Sequence, residues 1–431
     1  MRAASLSRLW LVGLATLTLA ACGGGDDDDE QAAGKASGEV SVVITWTGSE
    51  LDAFKAVVDG FEQSNPDVSV KLRQIPFEEL NSQVTQQFVT GSPPDLTVAL
   101  PGLIRQLGEQ DLLLPLDDMW DDWTADGSYT ESLREIASVD GTPYATWFKG
   151  NVNALIWYQP PELERLGLEV PGTWDEFIST LDEIKAKGEQ PLAVGGADQW
   201  PLTQWLDPIL ARVAGPDAFS GLVDGTVDWD DPRVVRSFEL FGQLIADYFP
   251  SNALDRGFID EVCAWVDDKA AFINQGAFIN LVAPGECDAD LRPGRDFTFF
   301  LMPKVDEGKP EVQFISGDLF AVAKDGGNVG AAKALARYLG SAEGQEIWAK
   351  RGGFIAPNAN VSLDAYPDAN DRKAAELWPK GDDAPAVYDL DDAIGGEVQS
   401  TLREALQQFV RDQDVDALVS TMKQVDERQS G

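Results

Sequence analysis

Residues 144–177 read YATWFKGNVNALIWYQPPELERLGLEVPGTWDEF. An extended run at Leu155-Ile156-Trp157-Tyr158 meets Pro160-Pro161, then a short amphipathic segment, Gly167 and Pro171. Thr173 and Glu176 stand at capping-box spacing ahead of a helical period of Phe177, Leu181 and Ile184. Strand, elbow and newly capped helix read as a chain leaving one lobe and starting another.

Working back from there, Glu39–Thr45 reads as a first strand and Ser49 as the cap of a helix with Leu51, Phe54, Val58 and Phe61 on its apolar face. Val68, Val70 and Leu72 alternate as a second strand. A helix over about 78–89 follows, then a proline turn and an apolar strand at 96–100. This β-α-β-α-β order predicts an open α/β sheet with ligands beyond the carboxyl ends of its strands. Trp46, Glu50, Asp95 and Pro101-Gly102 are placed at such ends. Working forward, Asp198–Trp205 follows a glycine turn, and a helix is predicted over 234–248. A buried strand enters a polar bend at Gln275-Gly276, and another strand covers 297–301. Two further passages between lobes are expected at Gln313–Ala323, centred on Asp318, and at Arg351–Asn358.

Basic residues Arg2 and Arg8, an apolar run over 9–19 and Leu19-Ala20-Ala21-Cys22 form a secretory signal with a lipobox. Cleavage before Cys22 and lipid on its sulfur are expected, making residues 1–21 a signal peptide and 22–38 a lipidated flexible tether. The apolar run is too short for a spanning helix of about 20 residues. The protein is thus expected to be exported and held at the membrane by its lipid alone, on the extracytoplasmic face or in a periplasm. An exported part of roughly 400 residues exceeds one ordinary hydrophobic core and predicts two lobes. The formal charge of −40 argues against nucleic acid or anionic lipid as partners. Cys263 and Cys287 read as a disulfide in an oxidising compartment. A metal pair is the weaker reading in a chain without histidine. Asp224, Asp228, Asp230 and Asp231 lack EF-hand spacing and read as solvated acids and a helix cap.

For catalysis the chain offers no histidine, no free cysteine nucleophile outside that pair, no P-loop and no dinucleotide fingerprint. A glycosidase needs only two placed carboxyls, but nothing singles such a pair out among 73 acids. No enzyme activity, cofactor or metal is expected. Thirteen tryptophans point to binding instead. Sugars offer flat C–H faces and rings of hydroxyls, which call for aromatic plates and charge-assisted acceptors. Candidates at chain turns are Trp46 with Glu50, Lys149 with Asn151, Trp200 and Trp205 with Asp207, then Asp95, Gln275, Asp318 and Arg351. Trp157, Trp174, Trp229 and Trp348 read as packing residues.

WTGSE (46–50), PPDLTVALPG (93–102), FKGNVNALIWY (148–158), QWPLTQW (199–205), GDLFAV (317–322) and WAKRGGFIAPNANV (348–361) resemble the α-glucoside-binding branch of family 1 extracellular solute-binding proteins of ABC transporters. The resemblance runs over residues 39–431 almost without gaps. It implies an α/β, two-lobed periplasmic-binding-protein-like fold of type II, with the ligand cleft between discontinuous lobes joined by a hinge. One lobe would take 39–148 plus 318–352, the other 151–315 plus 355–431. It further implies a monomer that captures a small oligosaccharide, such as an α-glucoside, and delivers it to ABC permease subunits. Binding of a polyol, glycerol phosphate or peptide is the alternative. The chain departs from that branch at Thr203-Gln204, where the branch carries an acid.

Overall fold

Val40, Val42, Val43 and Ile44 bury their side chains completely, or nearly so, and this sets the strand Gly38–Ile44 at the interior of the main sheet. The computed structural model describes residues 36–306, 308, 312–379 and 386–429. The predicted leader, Cys22 and residues 23–35 of the tether lie outside them. Gly38, assigned to the tether, already opens the first strand.

The main sheet runs in the order 386–388, 313–322, 96–99, 38–44, 68–74, and Ala145–Val152 pairs with Gln313–Val322 off this path. The strand at 38–44 is parallel to both 68–74 and 96–99, as the β-α-β-α-β reading requires. Helix Gly48–Ser64 supplies the first crossover, burying Phe54, Val57 and Phe61 at helical spacing. The second crossover is a 3-10 turn at 77–79 followed by helix Leu80–Val89. A second sheet has the order 298–301, 155–158, 272–275, 192–193. The capping box at Thr173 and Glu176 is present and starts the helix Trp174–Ala186. Asp231 caps helix Pro232–Tyr248.

Three passages lie side by side where these layers meet. Ala145–Val152 runs antiparallel to Gln313–Val322, and the Gly150 N–H donates to the Ile355 carbonyl at 2.8 Å. On its other side, Gln313–Val322 pairs with 386–388 through Ile315 and with 96–99 from Leu319. That leaves residues 316–318 without a strand neighbour there. The Tyr388 hydroxyl fills the gap, donating to the Gly317 carbonyl and accepting from the Gly317 N–H. Glycine is required at both crossing points by close approach. A Cβ at Gly317 would overlap the Lys149 carbonyl, and one at Gly150 would sit 2.8 Å from the Trp378 ring.

Two apolar cores back the sheets. One gathers Trp46, Phe54, Phe148, Phe320 and Trp348, and the other Trp205, Phe219, Phe238 and Phe409. Trp157, Trp229 and Trp348 are fully buried packing residues as expected, and Trp174 is half-buried. Cys263 and Cys287 are joined in a disulfide with Cα atoms 5.1 Å apart.

Candidate ligand-binding cleft

The parallel strands 38–44, 68–74 and 96–99 bring Thr45, Gln74 and Leu100 to their carboxyl ends, and all three residues face one cavity of about 560 Å³. That is the place an open α/β sheet leaves for a ligand, and the size falls within the usual range for small-molecule sites. Lys149, Asn151, Ser316, Gly317 and Asp318 enter from the two paired passages, and Trp200, Phe258 and Phe278 from the opposite wall.

Polar groups on these walls are already tied together. Lys149 forms a buried ion pair with Glu50, and its Nζ lies 5.6 Å from the Phe278 ring centroid and 5.1 Å from that of Trp348. The Trp46 indole N–H donates to Asp318 at 3.3 Å. Burial pushes Asp318 up to about 6. Lys149 and the indole N–H hold it down, while Glu50 works against them. Asn151 donates its side-chain N–H to Asn153 and to Ser316, and its Oδ1 accepts from the Ala277 N–H.

Aromatic rings gather around Trp200. Its ring centroid is 4.9 Å from that of Phe258, and 6.2 Å from those of Phe77 and Phe278. Trp200 opens the helix Trp200–Ala214, with Pro201 in the first turn where a missing N–H costs nothing.

The N-terminus of helix 48–64 shows how the two walls communicate. Ser49 does not cap it. Thr47 holds the cap position without a side-chain bond, and Glu286 accepts from the Ser49 N–H at 2.7 Å. A carboxylate from the far wall therefore satisfies an orphan amide at the positive end of the helix dipole.

The structure brings Trp46, Glu50, Lys149, Asn151, Trp200 and Asp318 to one cavity. The other five predicted residues stand elsewhere, each for a physical reason. Asp95 precedes its strand, so it sits at the amino end, where it accepts from the Ser41 N–H and hydroxyl and from the Asn328 N–H. Trp205 and Asp207 belong to a helix rather than a turn. Trp205 is buried in the second core, and Asp207 accepts from the Leu390 N–H at 2.9 Å. Gln275 is fully buried behind the wall and donates to Glu261 at 3.0 Å. Arg351 is exposed just past helix Ala342–Ala349.

A profile described as bacterial extracellular solute-binding protein matches residues 45–346. The chain belongs to that family. Among relatives of this solute-binding protein, the osmoprotective compounds-binding protein GgtB of Synechocystis sp. is 29% identical over 321 residues, covering 72% of this chain and 74% of the relative. The alpha-glucosides-binding periplasmic protein AglE of Rhizobium meliloti is 28% identical over 365 residues, covering 77% and 75%. A solved chitin oligosaccharide binding protein superposes with TM-score 0.80 at 22% identity over 92% of this chain and 100% of its own. The solute receptor AcbH does so with TM-score 0.81 at 21% identity, over 92% and 99%. These two show the two-lobed α/β fold. Among the described residues no helix is long and apolar enough to cross a membrane.

Sequence reasoning missed one whole side of the cleft. Asp389, Asp391 and Asp392 line it together with Arg403 and Gln204. Arg403 reaches Asp391 at 2.6 Å and Asp392 at 2.8 Å, and its guanidinium lies 5.5 Å from the Phe77 ring. Burial pushes Asp389 up to about 7, helped by Asp391 and resisted by hydrogen bonds from Asn153, Gln204 and Ser316. Asp392 is raised well above the carboxylate range by burial and by Asp391, with Arg403 pulling the other way. The signal was the run Asp389-Leu390-Asp391-Asp392, indistinguishable by eye from other acidic runs in so acidic a chain.

Proposed function

We propose that this solute-binding protein captures a carbohydrate, a small oligosaccharide of the α-glucoside kind, and delivers it to ABC permease subunits. The observation that carries this is the mixed lining of the cleft. Aromatic faces at Trp200, Phe258 and Phe278 share one cavity with carboxylates at Glu50, Asp318 and Asp389. Aromatic faces suit the C–H side of a pyranose, and carboxylates accept its hydroxyls in charge-assisted bonds. The names of the relatives, which include sugar binders, support the same class.

Trp46, Glu50, Lys149, Asn151, Trp200 and Asp318 are the proposed ligand contacts. Lobes of 39–148 plus 318–352 and of 151–315 plus 355–431 would close about the three passages, the ligand favouring the closed state. The mechanism is capture without chemistry, by a monomer held at the membrane through lipid on Cys22.

A thermal-shift and calorimetric screen against mono- and disaccharides, polyols, glycerol phosphate and peptides tests the reading. Binding to the native state raises Tm with ligand concentration. A shift with an α-glucoside, lost in Trp200→Ala, is expected. A shift from a non-sugar solute alone would overturn the carbohydrate assignment.

A further inference from the structure

Most N–H donors of the cleft are spent on the protein itself, and the Ser49 hydroxyl is a buried donor left without a partner. Lys149 is held by Glu50 and Arg403 by Asp391 and Asp392. The Trp46 indole N–H goes to Asp318, the Gln204 amide N–H to Asp389 and the Gln74 amide N–H to the Trp46 carbonyl. Acceptors are left over. Gln204 is more than nine-tenths buried, and its Oε1 has no hydrogen-bond partner. Flipping the amide would only turn that oxygen toward the Asp389 carboxyl.

Charge is unbalanced in the same sense. Among the described residues Lys149 and Arg403 are the only cations on the walls, and both are committed. Five lining carboxyls, Glu78, Asp198, Glu286, Asp318 and Asp389, have no lysine or arginine at ion-pair distance among the described residues. Asp198 and Glu286 are partly satisfied by the N–H groups of Phe258 and Ser49. Asp318 and Asp389 take their hydrogen bonds from neutral donors, with Lys149 and Arg403 acting on them only from beyond ion-pair distance. Hydroxyls of a neutral sugar would occupy the free acceptors and leave this charge in place. An ammonium would do both, and the rings already face one: the Lys149 Nζ lies 5.6 Å from Phe278 and 5.8 Å from Trp46.

We infer that the cleft takes a polyhydroxylated ligand carrying a protonated amine, of the amino-sugar class, in preference to the neutral sugar of the same shape. The inference rests on the reading of this cavity as a carbohydrate site. Burial and crowding favour protons on two of these carboxyls. Asp389 faces Tyr388 beside it, Asp391 and Asp392 on the short helix 390–394 that it precedes, Asp207 from helix 200–214 and Arg403 from helix 396–412, and it stands near 7. Asp318, facing Lys149, Glu50, Tyr388 and Asp392, stands near 6. An incoming ammonium would displace those protons.

Isothermal titration of the purified protein with trehalose, its 2-amino-2-deoxy analogue and the N-acetylated form of that analogue separates charge from shape. At about pH 6.5, where an amino sugar is largely protonated, the amine is expected to bind at least tenfold tighter than either neutral sugar. Its binding should release protons, seen as a heat that depends on the buffer's ionisation enthalpy. The preference should weaken with salt and shrink in Glu78→Gln, an exposed position at which the fold is not at stake, as well as in Asp389→Asn. Equal or tighter binding of the neutral sugars would overturn the charge inference and leave the carbohydrate reading intact. Binding of a simple diamine such as putrescine while every sugar fails would uphold the charge and overturn the carbohydrate reading. Silence from every amine would overturn the inference outright.

Discussion

Glu261 offers a sharp test of the electrostatics behind the cleft. It is fully buried on helix Phe258–Val266, the helix that carries Phe258 and Ile259 into the cavity wall. Burial pushes its carboxyl up to about 8; hydrogen bonds from Gln275 and the Gly195 backbone pull the other way, and Asp198 adds to the rise. The unfolded chain would titrate this group at the ordinary value of 4.5. Between those values the folded state holds more protons than the unfolded one, so stability must fall as pH rises through that window. The difference of roughly 3.5 pH units, at about 1.36 kcal/mol each, sets a ceiling near 5 kcal/mol. Local relaxation and water entry are expected to leave about half of that. Glu261→Gln keeps the shape and removes the titration. Denaturant unfolding of both proteins from about pH 5 to pH 9 should give matching stabilities at the acid end. At the alkaline end the variant should be more stable by about 2–3 kcal/mol, as the halved ceiling implies. Parallel stability curves across that range would refute the argument, because other titrating groups act equally on both proteins.

The two tryptophans of QWPLTQW should separate cleanly. Trp200→Ala is expected to abolish measurable ligand binding with a small change in Tm, whereas Trp205→Ala should cost about 3–5 kcal/mol of stability as a core truncation. Glu286→Ala removes the carboxylate that caps helix 48–64 from the opposite wall. A loss of about 1 kcal/mol should appear as a roughly fivefold weaker Kd by titration calorimetry. Reduction of Cys263–Cys287, which closes a loop with a sequence separation of 24, should lower stability by about 3 kcal/mol, measured as a fall in Tm with and without reductant.

Local rules read correctly wherever local forces decide. Thr173 and Glu176 start a helix because a side chain and a backbone N–H three residues apart satisfy each other whatever surrounds them. Apolar spacing placed helices 48–64 and 232–248, and export chemistry paired the two distal cysteines. Even within this reach, Asp95 was assigned to the wrong end of its strand, since a residue just ahead of a strand lies opposite the carboxyl-end face.

The composition of the far wall lay beyond the sequence. Asp389, Asp391, Asp392 and Arg403 come from the C-terminal part of the chain, and nothing in their spacing distinguishes them from solvated acids. Only the fold buries them, and burial is what raises Asp389 and Asp392 and leaves Gln204 Oε1 unmatched. Trp205 and Asp207 reverse the case. Both looked like site residues in sequence, but five residues at about 100° each set Trp205 roughly 140° from Trp200 and turn it inward, while Asp207, two turns on and on nearly the same face, is carried past the cavity to accept from the Leu390 N–H. Sequence determined the parallel strands 38–44, 68–74 and 96–99, the helix between the first two and the capped helix 174–186. Tertiary structure alone decided which side chains meet in the cleft, since that meeting is fixed by contacts between residues hundreds of positions apart.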